Sequence, residues 1–350
     1  MLTELIYSFL LILFISLLYY LYHNKNKIKE YLFNNKKQRI LKNLILKKKI
    51  KTDNKIYSLI LLNDNKKFAT IENDGYIYIY NLDSYSIYQT LKLPNSEIHF
   101  LTQFKNNFLA ACVSNSIIIY SLDSELKFQL YRTLYGHTNE VFYVIESNKN
   151  DIMISVDYVK KINIWKKNKN NDYNITSTII DNDFIENILF TNDNETIFVT
   201  TYNNNSDICF YDINLLTKIH TINDIKKTHN YYNMIKLQKF LFIGGKDSTI
   251  YVIDLNLYRV HYKHQFDVSI GWIECINILN YKNKFIILGG DEDGNLIECD
   301  FDFKRGKIKF IDIKEDIFEN NILCIIPFNN NNNIFVVSEK IKIFEISNKI

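Results

Sequence analysis

Between Ile77 and Phe344 the chain repeats one short apolar phrase seven times: Ile77-Tyr78-Ile79-Tyr80, Ile117-Ile118-Ile119-Tyr120, Ile162-Asn163-Ile164-Trp165, Ile208-Cys209-Phe210-Tyr211, Ile250-Tyr251-Val252-Ile253, Leu296-Ile297-Glu298-Cys299 and Ile341-Lys342-Ile343-Phe344. Successive phrase-ending residues lie 40, 45, 46, 42, 46 and 45 positions apart, the period of a propeller blade and not of a helical repeat. Each phrase sits within a larger unit of apolar runs parted by polar turns. In the third unit the runs are Val141 to Ile145, Ile152 to Val156, Ile162 to Trp165 and Tyr173 to Ile180. Runs rich in Ile, Val, Tyr and Phe, bounded by Asn, Asp and Gly, read as strands. Four strands per unit and seven units predict an all-β fold, a seven-bladed β-propeller of four-stranded blades.

The third unit also carries Leu134-Tyr135-Gly136-His137, then Val141, Ser155 and a phrase ending at Trp165. These residues resemble the Gly-His, first-strand, Ser and Trp positions of the WD-repeat family. The resemblance covers nearly everything after about residue 40. It implies that an Asp six residues before the Trp position anchors a tight turn, and Asp74, Asp247 and Asp293 stand at that offset, with Ser114, Val159, Asn205 and Ser338 in the other units. On the same resemblance Asp74, His137, Ser155, Trp165, Asp247 and Asp293 are structural repeat positions. With a single Gly-His in the chain, the family's buried hydrogen-bond network is expected to be absent or improvised in most blades.

The sequence stops shortly after the seventh phrase, so the last blade needs an outer strand from elsewhere, because an unpaired strand edge invites aggregation. The run Ile40 to Leu46, continuing to Lys51, is placed to supply it. Residues 40–350 are therefore read as one propeller domain closed by its N-terminal strand. Asn-rich tracts such as Asn329 to Asn333 and Asn203 to Asn205 read as loops.

Ahead of the ring, Leu5 to Tyr22 is an uncharged, apolar run of eighteen residues, long enough to cross a bilayer as a helix. There is no basic stretch before it and no small-residue cleavage site after it, which argues against a removed signal peptide. Residues 1–23 are expected to be a transmembrane anchor, with Tyr19, Tyr20 and Tyr22 at the interface. Residues 23–51 hold eleven Lys or Arg against Glu30 alone, and that bias places the flank, and hence the propeller, in the cytosol. The stem 24–39, with Lys25, Lys27, Lys29, Lys36 and Lys37, is suited to lie along anionic lipid headgroups. Residues 52–350 carry six net negative charges, which argues against a nucleic-acid partner.

Chemistry is sparse. The five cysteines, Cys112, Cys209, Cys275, Cys299 and Cys324, are odd in number and widely spaced, so neither a disulfide framework nor a zinc site is expected. Gly289-Gly290-Asp291-Glu292-Asp293-Gly294-Asn295 begins like a calcium loop but lacks the closing bidentate Glu; with Gly244-Gly245-Lys246-Asp247 one unit earlier, it reads as a repeat turn. No phosphate-cradling loop and no catalytic Ser, His and Asp spacing occur. The expectation is a protein with no catalytic residues, no cofactor and no metal.

In the WD-repeat family the residue before each innermost strand emerges on one face of the ring. Carried over by strand alignment, those positions are Lys55, Glu97, Glu140, Phe184, Tyr231, Trp272 and Asn321. Phe184, Tyr231 and Trp272, with Glu97 and Glu140 beside them, form the candidate protein-binding face, since interfaces favour aromatic anchors ringed by charge. The expected function is a membrane-anchored, non-catalytic scaffold holding protein partners. The layout is similar to that of transducin beta-like proteins, which implies the endoplasmic reticulum. The alternative is a membrane-tethered propeller serving as nucleotide exchange factor for an endoplasmic reticulum small GTPase. In such factors the anchor follows the propeller and a potassium-binding loop is expected in the first blade, neither of which is found here.

Overall fold

The structure, a computed structural model, describes residues 39–347 apart from residues 53, 95–97, 170–171, 182–183, 203–206, 224–230 and 267–269. Seven four-stranded antiparallel sheets form a β-propeller. Blades one to six span residues 56–92, 98–135, 141–180, 185–222, 231–265 and 273–314. The strands of blade three are Val141–Glu146, Ile152–Asp157, Lys161–Lys167 and Tyr173–Ile180, each within two residues of the run read from the sequence. Blades one to six are plain meanders, in which each strand pairs with its chain neighbours.

Burial explains the composition of the strands. Second and third strands are packed on both sheet faces and therefore read as unbroken apolar runs, as in Leu109–Val113 and Phe240–Gly245, where every residue is buried. Outer strands are mostly exposed or half-buried, as in Phe128–Tyr135 and Thr217–Ile222, and in Arg259–Gln265 the two classes alternate. The core is divided among the gaps between blades. Ala69, Ile71, Ile77 and Ile79 of blade one meet Leu101, Leu109, Ala111 and Val113 of blade two. At the seam, Phe68 stacks on Tyr80 with ring centroids 4.9 Å apart and meets Phe335 of blade seven at the same distance. The turns between second and third strands demand unusual backbone: Gly294 has φ +82°, and a side chain there would strike the Phe318 carbonyl.

Blade seven takes three strands from Cys324–Phe328, Asn333–Val337 and Ile341–Ile346, and its outermost from Leu44–Ile50, which pairs antiparallel with Ile341–Ile346. The expected run begins at Ile40, but Leu41–Asn43 is a turn of 3-10 helix. The cause is a latch to blade six. Glu298 is fully buried, and its two carboxylate oxygens accept the Ile40 and Leu41 amides, each at 2.9 Å. Lys314 Nζ donates to the carbonyls of Leu41 and Leu44 at 3.5 and 3.3 Å. Arg39 Nη1 lies 3.8 Å from Asp312 Oδ2. Ile40 and Leu41 fill the core between blades six and seven. The ring is thus closed twice, by strand pairing to blade seven and by side-chain capture on blade six.

The expected membrane span and all of the stem except Arg39 lie outside the described residues. Among the described residues no helix is long and apolar enough to cross a membrane.

Candidate interaction face

Blade three contains a complete buried polar network. His137 Nδ1 lies 2.8 Å from Asp157 Oδ2, and its Nε2 2.6 Å from Ser155 Oγ, which also accepts the Trp165 indole N–H at 2.8 Å. Asp157 Oδ1 meanwhile accepts the Val159 and Lys161 amides, fixing the turn. Here the anchoring acid stands eight residues before the phrase-ending residue, not six. The same offset holds in blade six, where Asp291 accepts the amides of Asp293 and Asn295 and the Asn295 side chain, whereas in blade one the acid six residues before Tyr80 holds the turn, Asp74 Oδ1 accepting the Tyr76 amide at 3.1 Å, and buried Glu72 lies 3.5 Å from Thr70 Oγ1. Asp293 is therefore a donor to this turn through its backbone, and Asp291 is its anchor. Asp74 and Asp247 hold the neighbouring tyrosines, accepting from Tyr78 Oη at 2.7 Å and Tyr251 Oη at 2.6 Å. The sequence signal for Asp157 and Asp291 is their common spacing from Trp165 and Cys299.

Burial shapes the electrostatics of these turns. It raises the Glu72 carboxyl to about 7, helped by nearby Asp74, and it raises Asp291 above the usual carboxylate range. Burial likewise lifts the thiols of Cys112, Cys275, Cys299 and Cys324 and so keeps them protonated. The oxygens of Asp291 are occupied by protein donors, so the calcium-like stretch is a turn.

The turns between second and third strands share one face of the ring with the residues that precede the innermost strands. Backbone bonds join the two sets: Asn73 to Lys55 in blade one, Tyr158 to Glu140 in blade three and Glu292 to Trp272 in blade six. On this face Phe184 packs edge-on against Phe142 and Tyr158, at 5.3 and 5.0 Å between centroids. Phe142 in turn stacks on His99 at 4.4 Å, and His99 Nε2 lies 3.3 Å from Glu140 Oε2. A continuous patch therefore crosses blades two, three and four. It opens to solvent at Tyr158, 57% exposed, and at Val159 beside it.

The described ring contacts of Phe184 run toward blades two and three; the expected arc from blade four to blade six passes through Tyr231, whose side chain lies outside the described residues. Trp272 is 41% exposed and stands under Lys246, whose Nζ is 5.3 Å from the ring centroid. Its amide donates to Glu292 Oε1 at 3.2 Å. Tyr231 is one place out of register with Phe184 and Trp272: it is the first paired residue of its strand, opposite Gly245, as Ile56 is opposite Glu72. Glu97 lies outside the described residues. Asn321 is turned to a neighbour, its Nδ2 donating at 2.9 Å to Glu274, whose carboxyl is raised by burial. Sequence reasoning missed Phe142, Tyr158 and His99 because none of them occupies the position before an innermost strand.

The opposite face is tied across blades by polar bridges. Glu195 accepts from the Ser147 hydroxyl at 2.7 Å and from the Asn148 amide, and Lys105 takes the carboxylate of Glu146 through its own amide at 2.7 Å. A cavity of about 460 Å³ lies there, with Thr102, Ile145, Leu189 and Ile235 from four successive innermost strands in its wall.

No protein-family model matches the chain, and no curated protein matches it significantly. The seven four-stranded blades and the blade-three network are consistent with a propeller of WD-repeat type.

Proposed function

We propose that this protein is a non-catalytic scaffold whose propeller captures protein partners on the face bearing Phe184, while its N-terminal segment holds it at a membrane, ring toward the cytosol. The observation that carries the reading is the aromatic patch of His99, Phe142, Tyr158 and Phe184, built across three blades and open to solvent at Tyr158. A propeller suits this role, since its rigid sheets present turns from several blades on one surface. Aromatic groups clustered beside a carboxylate such as Glu140 have the make-up of an interface centre, where a few residues dominate affinity. Membrane attachment is supported by the eighteen apolar residues from Leu5, and the cytosolic side by the eleven basic residues that follow.

Proximity labelling from the ring in the native cell, comparing the natural protein with Tyr158→Ala and Phe184→Ala, tests the reading. The expected result is a defined set of neighbours on the cytosolic side of one membrane, lost in both variants while the protein remains folded. An unchanged set in both variants would remove this face from consideration.

A further inference from the structure

At the seam of blades six and seven, the end of the closing strand, the turn around Ser338 and the segment at Phe318 enclose a cavity of about 340 Å³. Four lysines line it: Lys49, Lys51, Lys340 and Lys342. Lys49 stands directly opposite Lys342 in the pairing of the closing strand, and like charges placed opposite each other on neighbouring strands destabilise a sheet. The structure does little to relieve this. Among the described residues none of the four lysines has a carboxylate within ion-pair distance. Glu319 and Glu339 line it too and, like Lys49, Lys51 and Lys340, are exposed, so the lining carries two net positive charges. Lys342 donates to the Ile317 carbonyl and lies 4.3 Å from the centroid of Phe318, which steers its ammonium to the cavity wall.

We propose that this seam cavity binds the phosphate groups of a phosphorylated ligand. The arrangement asks for an anion rather than for one more ion pair. A doubly charged phosphate presents several acceptor oxygens, enough to take donors from more than one lysine at once, and the volume suits a group of headgroup size. Burial, with Lys49 opposite and Lys340 nearby, lowers the Lys342 amine from its ordinary value against the opposing charge of Glu319, and a bound anion would reverse that. The site is built from residues far apart in the chain, since Lys49 and Lys51 come from the closing strand and its end, and Lys340 and Lys342 from the last hairpin. Binding therefore also fastens the seam.

The same chemistry is offered by a phosphorylated lipid headgroup and by a free phosphate compound, and one titration separates them. The full chain in detergent micelles is titrated by calorimetry, at fixed ionic strength, with pyrophosphate and with dioctanoyl phosphatidylinositol 4-phosphate, dioctanoyl phosphatidylcholine being the control. Saturable binding is expected, weakened about tenfold or more in Lys49→Gln and in Lys340→Gln, the scale of one lost charge-assisted contact. Tighter binding of the phosphoinositide than of pyrophosphate assigns the site to a lipid, and equal or weaker binding assigns it to a soluble phosphate. Without ligand, Lys49→Gln should melt no lower than the natural protein, because it removes a like-charge pair. Absence of saturable binding by both probes, equal binding of phosphatidylcholine, or unchanged affinity in both variants would overturn the proposal.

Discussion

Replacing Glu298 by Ala should unfasten the ring at its seam before it unfolds anything else. The carboxylate is fully buried on the third strand of blade six and takes two backbone amides, from Ile40 and Leu41, at 2.9 Å each. Above pH 7, where Glu298 is ionised, a hydrogen bond to the charged group contributes roughly 1.5 to 3 kcal/mol, and a buried amide left without a partner costs about 1 to 3 kcal/mol. Against this stands relief from burying a carboxylate, which costs several kcal/mol. The net loss expected is about 3 kcal/mol, confined to the docking of residues 40–50. Native-state amide exchange reads this directly, since local opening is measured segment by segment. Amides of the closing strand should exchange about a hundredfold faster, the equivalent of that loss, while those of Val141–Glu146 in blade three keep their protection. Equal loss of protection in both strands, or none in the closing strand, would show that Glu298 is not a latch.

Further expectations follow from the same geometry. A chain beginning at Lys36 should remain monomeric and fold, whereas one beginning at Asn54 lacks the closing strand and should aggregate or melt earlier; equal melting transitions would refute closure by Leu44–Ile50. Glu72 and Glu298 are both raised to about 7 by burial, so between the ordinary carboxylate range and pH 7 the folded protein holds protons that the unfolded chain has released. Stability should therefore fall as pH rises through that window and level off above it; denaturant midpoints across pH 5 to 8 measure the slope, which the pair Glu72→Gln and Glu298→Gln should flatten. Trp272→Ala, at a half-exposed site, should leave the melting transition nearly unchanged and, if Trp272 belongs to the partner surface, weaken capture by about 2 kcal/mol; a loss of roughly 3 to 5 kcal/mol in stability would mark it as a packing residue instead. Asn174, Asn194 and Asn204 each begin an Asn-x-Ser/Thr acceptor sequence, and for a cytosolic ring none should carry a glycan; a mobility shift removed by endoglycosidase would reverse the topology.

The repeat period alone determined the fold. Apolar runs packed on both sheet faces cannot be mistaken for helical patterning once they recur seven times at 40 to 46 residues, so the blades were legible, and in blade three the strands to within two residues. The charge step between residues 23–51 and the rest was legible too, being a property of composition. Positions set by turn geometry were less so: Asp157 and Asp291 lie two residues from Val159 and Asp293, and only the hydrogen-bond partners distinguish an anchor from its neighbour. What the tertiary structure decided is everything carried by residues distant in sequence. Glu298 reads as one more polar member of a strand, yet it holds Ile40 from 258 positions away. Phe142, Tyr158 and Phe184 come from three different loops and strands, and Lys49 meets Lys342 only after closure. A blade's own pattern specifies which residues it buries, but not which side chains of the next blade will stand beside them, and both the aromatic face and the lysine cavity arise at those junctions.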